Sequence, residues 1–198
     1  MDNHGHRSDK RLAILEAALE LIGEKGFHAA PTSEIAERAG VGVGSLYRYF
    51  KDKDDLIQQL FAYVTKRSSR EILEGCDPEA PIRQRYIRLC HNIMAHLVRQ
   101  PTTFRFLEQF FSSPHGVCQR REKLIDADDQ GLPENPLDEV LRAAKAQQIV
   151  KDLPLSTIRA LTFGPMMFHV RDVHAGLAVF EPEAAGALVE GCWDAVKR

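Results

Sequence analysis

The sequence predicts an all-α fold, and three observations carry the prediction. Apolar residues recur every three or four positions through most of the chain, the period of a helix with one buried face. No segment sustains the two-residue alternation of a half-buried strand, and the 198 residues contain neither Asn-Gly nor Asp-Gly, the strongest short hairpin signals. Glycine and proline mostly separate the periodic segments, where they start and stop helices. A chain of this length forms one large domain or two small ones and is long enough to bury a core.

The first periodic segment, RLAILEAALELIGEKG, places Leu12, Leu15, Leu19 and Ile22 on one stripe. Ser8 or Asp9 stands where a cap belongs and Gly26 follows the end, so a helix is expected over about 9–25. Thr32 or Ser33 caps a short helix in SEIAERA, which Gly40 stops. A second short helix is expected from about Gly44 to Phe50. A longer helix begins near Asp52, carries Leu56, Ile57, Leu60, Phe61 and Val64, and reaches about Glu74. Gly75, Pro78 and Pro81 then punctuate the chain strongly. The preceding helix is expected to enter a second domain, so the division is drawn at 1–53 and 54–198.

The second part continues in the same period. IRQRYIRLCHNIMAHLVRQ is followed by PTTFRFLEQFFSS, with Pro101 at a helix start. GVCQRREKLIDADD is a weaker helix. NPLDEVLRAAKAQ has an Asn135 cap and Pro136 in its first turn. LSTIRALTFGPMMFHVRDVHAG and PEAAGALVEGCWDAVKR close the chain, and DDQGLPENP is the expected mobile loop. About nine to ten helices are expected in all.

Composition narrows the class without choosing a function. Apolar residues make up 44% and charged residues 27%, ordinary for a globular domain, and the apolar runs are too short for a membrane span. MDNHGHRSDKR lacks the apolar core of a secretory signal, so the expected location is the cytoplasm, with no membrane partner. Cys76, Cys90, Cys118 and Cys192 show no CxxC spacing, which favours small apolar thiols over a metal site or disulfide framework. No metal and no cofactor are expected. The net charge is −2, but Arg7–Arg70 holds eleven Lys/Arg against nine Asp/Glu, while the remainder leans acidic. Local positive charge is all that a DNA-reading face requires.

The stretch AGVGVGSLYRYF decides between two chemistries. Gly40, Gly42 and Gly44 suggest a phosphate-cradling loop, but the third glycine falls one residue early for a dinucleotide fingerprint, and a charged helix rather than a strand precedes them. No GxxxxGK follows either. A helix-turn-helix fits every position. Ala36 is small enough for two short helices to cross closely, and Gly40, four residues on, tolerates the positive φ of the turn. Val41 plugs the turn into the core, and Leu46, five residues further, anchors the second helix. Ile35, Ala39 and Phe50 complete this small core.

TSEIAERAGVGVGSLYRYFKDKDDL, preceded by AALELIGEKGFHAA, strongly resembles the N-terminal domain of the tetracycline-repressor (TetR) family over roughly residues 10–60. The helical remainder, with Phe163-Gly164-Pro165 and Cys192-Trp193 in its last two helices, looks like the regulatory domain of some such regulators. The resemblance implies an all-α homodimer: an N-terminal three-helix helix-turn-helix domain, then a helical ligand-binding and dimerisation domain. It also implies a palindromic operator in double-stranded DNA, released when a small-molecule effector enters the second domain. The family often has Ser or Thr where this chain has Gly42, which caps a helix without a side-chain bond.

The DNA-contacting set expected from this arrangement is Thr32, Ser33, Gly42, Val43, Gly44, Ser45, Tyr47, Arg48, Tyr49 and Lys53. A recognition helix puts its N-terminal side chains into the major groove, so Val43 would meet a thymine methyl and Arg48 a guanine or a phosphate. Gly42 and Gly44 let the backbone approach DNA. Tyr47, Tyr49 and Lys53 suit phosphate oxygens, as do Thr32 and Ser33 at the start of their helix; each tyrosine ring also serves core packing.

In the second part, His91, Met94, Phe104, Leu107, Phe110, Phe111, Phe163 and Met167 are candidate effector-pocket residues, weighed against ordinary core packing. His96 and His169 are further candidates for a polar contact. Ala160, Gly164, Leu188, Cys192 and Trp193 on the last two helices are candidates for a dimer interface, weighed against covering the monomer core. The reading that fits best is a ligand-responsive transcriptional regulator acting as a repressor. A helical adaptor or an activator retaining the motif stays open beside it. An all-helical enzyme is the remaining alternative, but no catalytic constellation stands out and no catalytic residue is named.

Overall fold

The computed structural model describes residues 3–116 and 136–198, with side chains from residue 9 onward. It is all-helical apart from an isolated antiparallel bridge between Val150 and Lys197, and the described residues contain no strand. The helices are α1 (Asn3–Lys25), α2 (Thr32–Arg38), α3 (Val43–Tyr49), α4 (Lys53–Ile72), α5 (Ile82–Arg99), α6 (Pro101–Ser112), α7 (Pro136–Ala146), α8 (Leu155–His174) and α9 (Pro182–Val196). Residues 117–135, which hold Cys118, Asn135 and nearly all of GVCQRREKLIDADD and DDQGLPENP, lie outside the described residues.

The chain packs as two compact units. The first takes in the described residues of Met1–Arg67 and Thr102–Gly131, the second those of Ser68–Pro101 and Leu132–Arg198. Neither unit is one continuous segment: α6 packs with the first, because Phe106 and Phe110 are fully buried in its core.

In the first unit, α1 is the central element. Ile14, Leu15, Ala18, Leu21 and Ile22 have no exposed surface, whereas Leu12 is 45% exposed and stands outside the buried face. The apolar face is broader than the stripe read from the sequence, because α1 meets α2 and α3 and also shares a core with α4 and α6. The helix starts at Asn3, upstream of Ser8 and Asp9, so neither residue caps it. Gly23 allows a close approach: a Cβ there would come 2.8 Å from Thr102 Cγ2 on α6. Phe61 of α4 stacks on Phe110 at 4.1 Å between centroids.

In the second unit, α5 packs against α7, α8 and α9. The buried Tyr86 ring lies 4.9 Å from the Trp193 indole. Cys90 and Cys192 are buried beside them, and burial pushes both thiols above their ordinary pKa, so they act as small neutral apolar groups. Asp138, almost fully buried on α7, is paired by Arg159 of α8 at 3.1 Å, as a buried carboxylate requires.

Candidate nucleic-acid interface

The turn between α2 and α3 follows directly from its residues. Gly40 takes φ +66°. Its N–H donates to Glu37 O at 3.0 Å and the Val41 N–H to Ala36 O at 2.9 Å, the paired bonds of a Schellman helix end. Val41 then packs its side chain against the core of the first unit. Ala36, Leu46 and Phe50 have no exposed surface, so α2 and α3 are locked by the residues that the spacing selected. Burying a leucine such as Leu46 contributes about 1.5–3 kcal/mol.

α3 begins one residue earlier than expected, at Val43, with Gly42 as its N-cap in extended conformation (φ −72°, ψ 149°) and no side-chain cap bond. Leu46 points inward and leaves Val43, Gly44, Tyr47 and Arg48 on the exposed side. A Cβ at Gly42 or Gly44 would meet nothing within 4 Å. Packing within the chain therefore does not demand glycine at either position. Arg48 Nη2 donates to Ser45 Oγ at 2.9 Å. Thr32 Oγ1 and the Tyr47 hydroxyl lie 3.0 Å apart, and Ser33 is exposed beside Thr32 at the start of α2.

Two members of the expected set sit differently. The Tyr49 ring packs against the core of the first unit. Lys53 Nζ donates to the Phe27 carbonyl, and partial burial holds its ammonium below the usual lysine pKa. Tyr49 is only partly buried, and Lys53 stands at the start of α4. The sequence reading also missed the lock at the start of α4. Asp52 Oδ1 accepts the Asp55 N–H at 2.8 Å, while Asp55 Oδ2 accepts the Lys51 N–H, also at 2.8 Å. The spacing of two aspartates ahead of an apolar run is the available signal, a variant of the reciprocal capping pattern.

The candidate pocket residues are divided between the two units. Phe104, Leu107, Phe110 and Phe111 belong to α6 in the first unit, where Phe110 is core and Leu107 and Phe111 pack against that core. His91 and Met94 on α5, with Phe163 and Met167 on α8, belong to the second unit. The core alternative holds for α6, whose Phe110 lies in the first unit's core with Leu107 and Phe111 packed against it. His96 is also taken, since both ring nitrogens have partners at hydrogen-bond distance.

The candidate dimer face needs a similar correction. Cys192 and Trp193 are buried within the second unit, Trp193 against Tyr86. Ala160 and Gly164 are exposed and Leu188 half-buried. Leu161 and Phe168 on α8, and Ala184, Ala187, Gly191 and Ala195 on α9, are also exposed. An amphipathic stripe alone did not say which side of α9 faces the core.

Among the described residues, no helix is long and apolar enough to cross a membrane, and no three His, Cys, Asp or Glu residues gather as metal ligands. The first unit's geometry is that of a helix-turn-helix with an exposed second helix, and the chain adds to it a separate helical unit. Residues 14–60 match the family described as bacterial regulatory proteins, tetR family, and residues 81–197 match the tetracyclin repressor-like C-terminal domain. The protein belongs to the TetR family.

The chain is 46% identical over 52 residues to the fatty acid metabolism regulator protein of Bacillus subtilis (strain 168), covering 26% of this chain and 27% of that one. It is 28% identical over 115 residues to an HTH-type transcriptional regulator of Haemophilus influenzae, covering 57% and 62% of the two chains. The chain thus spans less than two thirds of the length of these relatives. Two solved structures match over nearly the whole chain. A TetR family transcription regulator from Marinobacter aquaeolei VT8 superimposes with a TM-score of 0.80 and 25% identity over 98% of this chain and 99% of that one. The fatty acid degradation regulator FadR from Bacillus halodurans shares the fold, with a TM-score of 0.67 and 21% identity over 93% of each chain.

Proposed function

We propose that this protein is a cytoplasmic, ligand-responsive transcriptional repressor. As a homodimer it holds a palindromic operator in double-stranded DNA, and it releases the operator when a small molecule binds. Residues 1–53 read DNA; residues 54–198 bind the effector and dimerise; no catalytic role is assigned. The observation that carries this reading is the outer face of α3. Val43, Gly44, Tyr47 and Arg48 are exposed there while Leu46 holds the helix down from behind.

Each residue on that face has a definite task. Val43 meets a base methyl, and Arg48, steadied by Ser45, reads a guanine edge. Tyr47, Thr32 and Ser33 hold phosphates, and Gly42 and Gly44 leave room for the duplex. The effector site is assigned to α5 and α8 of the second unit, with His91, Met94, Phe163 and Met167 as its candidate contacts, an environment suited to an apolar or amphipathic molecule. Dimerisation is assigned to the exposed sides of α8 and α9. A two-fold pair of reading heads demands a two-fold operator with half-sites about one helical turn apart, or a multiple of it.

The test is selection of bound sequences from random duplex DNA by the purified protein. A palindromic consensus is the expected result, and Arg48→Ala should relax preference at one position of each half-site by about 1–3 kcal/mol. Binding with no preference over scrambled duplex at moderate salt would overturn the proposal.

A further inference from the structure

His96 on α5 is only 4% exposed, and its ring is held from two sides. Nδ1 lies 3.0 Å from Glu71 Oε2, and Nε2 lies 2.8 Å from Ser68 Oγ. Ser68 and Glu71 are three residues apart, so they share one face of α4. Arg99, also on α5, donates to the same Glu71 oxygen at 3.4 Å. The Glu71 carboxyl is held below its ordinary pKa, first by the His96 hydrogen bond and then by that ring's charge. His174 Nε2 of α8 lies 3.0 Å from the Leu97 carbonyl oxygen.

α4 gives this cluster its reach, because it runs unbroken from Lys53 to Ile72. Its first residues pack into the core of the reading head, and Leu56 and Leu60 have no exposed surface. Its last turns, with Ser68 and Glu71, belong to the second unit. Apolar helix contacts slide at modest cost, whereas two directional bonds to one buried ring fix rotation and register together.

We propose that His96 is a positioning residue for operator binding: it latches the end of α4, the helix that carries the reading head. The proposal rests on the regulator reading above. The charged groups facing the latch are Glu71 from α4 and Arg99 from α5. Both ring nitrogens are engaged, one by the Glu71 carboxylate and the other by the Ser68 hydroxyl.

The test measures binding of full-length protein to its selected operator by fluorescence anisotropy at fixed salt, with oligomeric state and melting recorded for each variant. His96→Phe keeps a ring without its hydrogen bonds, and Glu71→Gln alters only an exposed carboxyl, so it reports even where the first variant folds poorly. Both should weaken operator binding about five- to twentyfold, the range of ordinary coupling between sites. His96→Gln, able to keep one of the two bonds, should recover part of the affinity that His96→Phe loses. Wild-type binding by Glu71→Gln and His96→Phe would overturn the latch and leave the regulator reading standing. A wild-type protein that selects no sequence would remove both.

Discussion

Thr32 Oγ1 and the Tyr47 hydroxyl lie 3.0 Å apart, joining the first residue of α2 to the exposed side of α3. The pair sits at the outer edge of the helix-turn-helix, where a phosphate would compete for both hydroxyls. Tyr47 is 48% exposed, so its hydroxyl has little folding role. Tyr47→Phe should cost at most about 1 kcal/mol of stability. It should weaken binding to operator and scrambled duplex alike, because a phosphate contact carries no base information. Urea melts and anisotropy on both duplexes check the two halves of this statement.

Gly44 separates folding from reading. A methyl group there meets nothing within 4 Å, yet glycine occupies the first turn of a seven-residue helix. Gly44→Ala should therefore leave stability unchanged or raise it by up to about 1 kcal/mol, the difference in helix propensity. If the duplex backs closely onto α3, the same change lowers operator affinity. A variant that melts higher and still binds like wild type would show that the duplex keeps its distance.

Phe168 is 59% exposed on α8, with the Arg171 guanidinium 6.0 Å over its ring. Exposed Phe168 follows the exposed Ala160 and Gly164 at four-residue spacing on α8, an aromatic beside small residues that suits a self-complementary contact. Phe168→Asp should give a folded monomer in sedimentation, as should Gly191→Leu, whose new side chain meets nothing in its own chain at Cβ. Operator affinity should fall in step with dimer loss, since one reading head grips only one half-site.

Asp55 supplies an acid-side prediction. Bonds from Gln59 and from the Lys51 N–H hold its carboxyl below the ordinary value. A carboxylate lowered on folding adds stability above its unfolded pKa of about 3.9 and loses it as pH falls through the folded value. Asp55→Asn should flatten that part of the stability profile below about pH 4 and leave the alkaline side unchanged in shape. Parallel denaturant titrations of the two proteins over the acid range would reveal it.

The helix-turn-helix was legible because its information is local. Ala36, Gly40, Val41 and Leu46 each answer a constraint set within eleven residues of chain, and the turn closes with the bonds those spacings require. The expected start of α1 failed for a different reason. Capping residues mark a possible boundary, but Ser8 and Asp9 lie inside a helix that starts at Asn3. Leu12 misled similarly, since periodicity gives a stripe but not its width.

The aromatic run of α6 shows the larger gap. Its sequence position, after the strong break at Gly75–Pro81, placed it with the second domain, yet Phe106 and Phe110 complete the core of the first unit. His96 looked like one of several histidines available to a ligand until Ser68 and Glu71 came to lie beside it, 28 and 25 residues away in the chain. Trp193 and Cys192 lay on an apolar stripe that would serve a core or an interface equally well.

The sequence by itself determined the helical class, the reading motif and the residues of its turn, because helix period, capping and left-handed turn geometry depend on neighbours a few positions apart. Only the tertiary structure decided which unit α6 joins, which side of α9 is buried and what holds His96. Those outcomes depend on surfaces contributed by distant parts of the chain, and no spacing along it records which surface that will be.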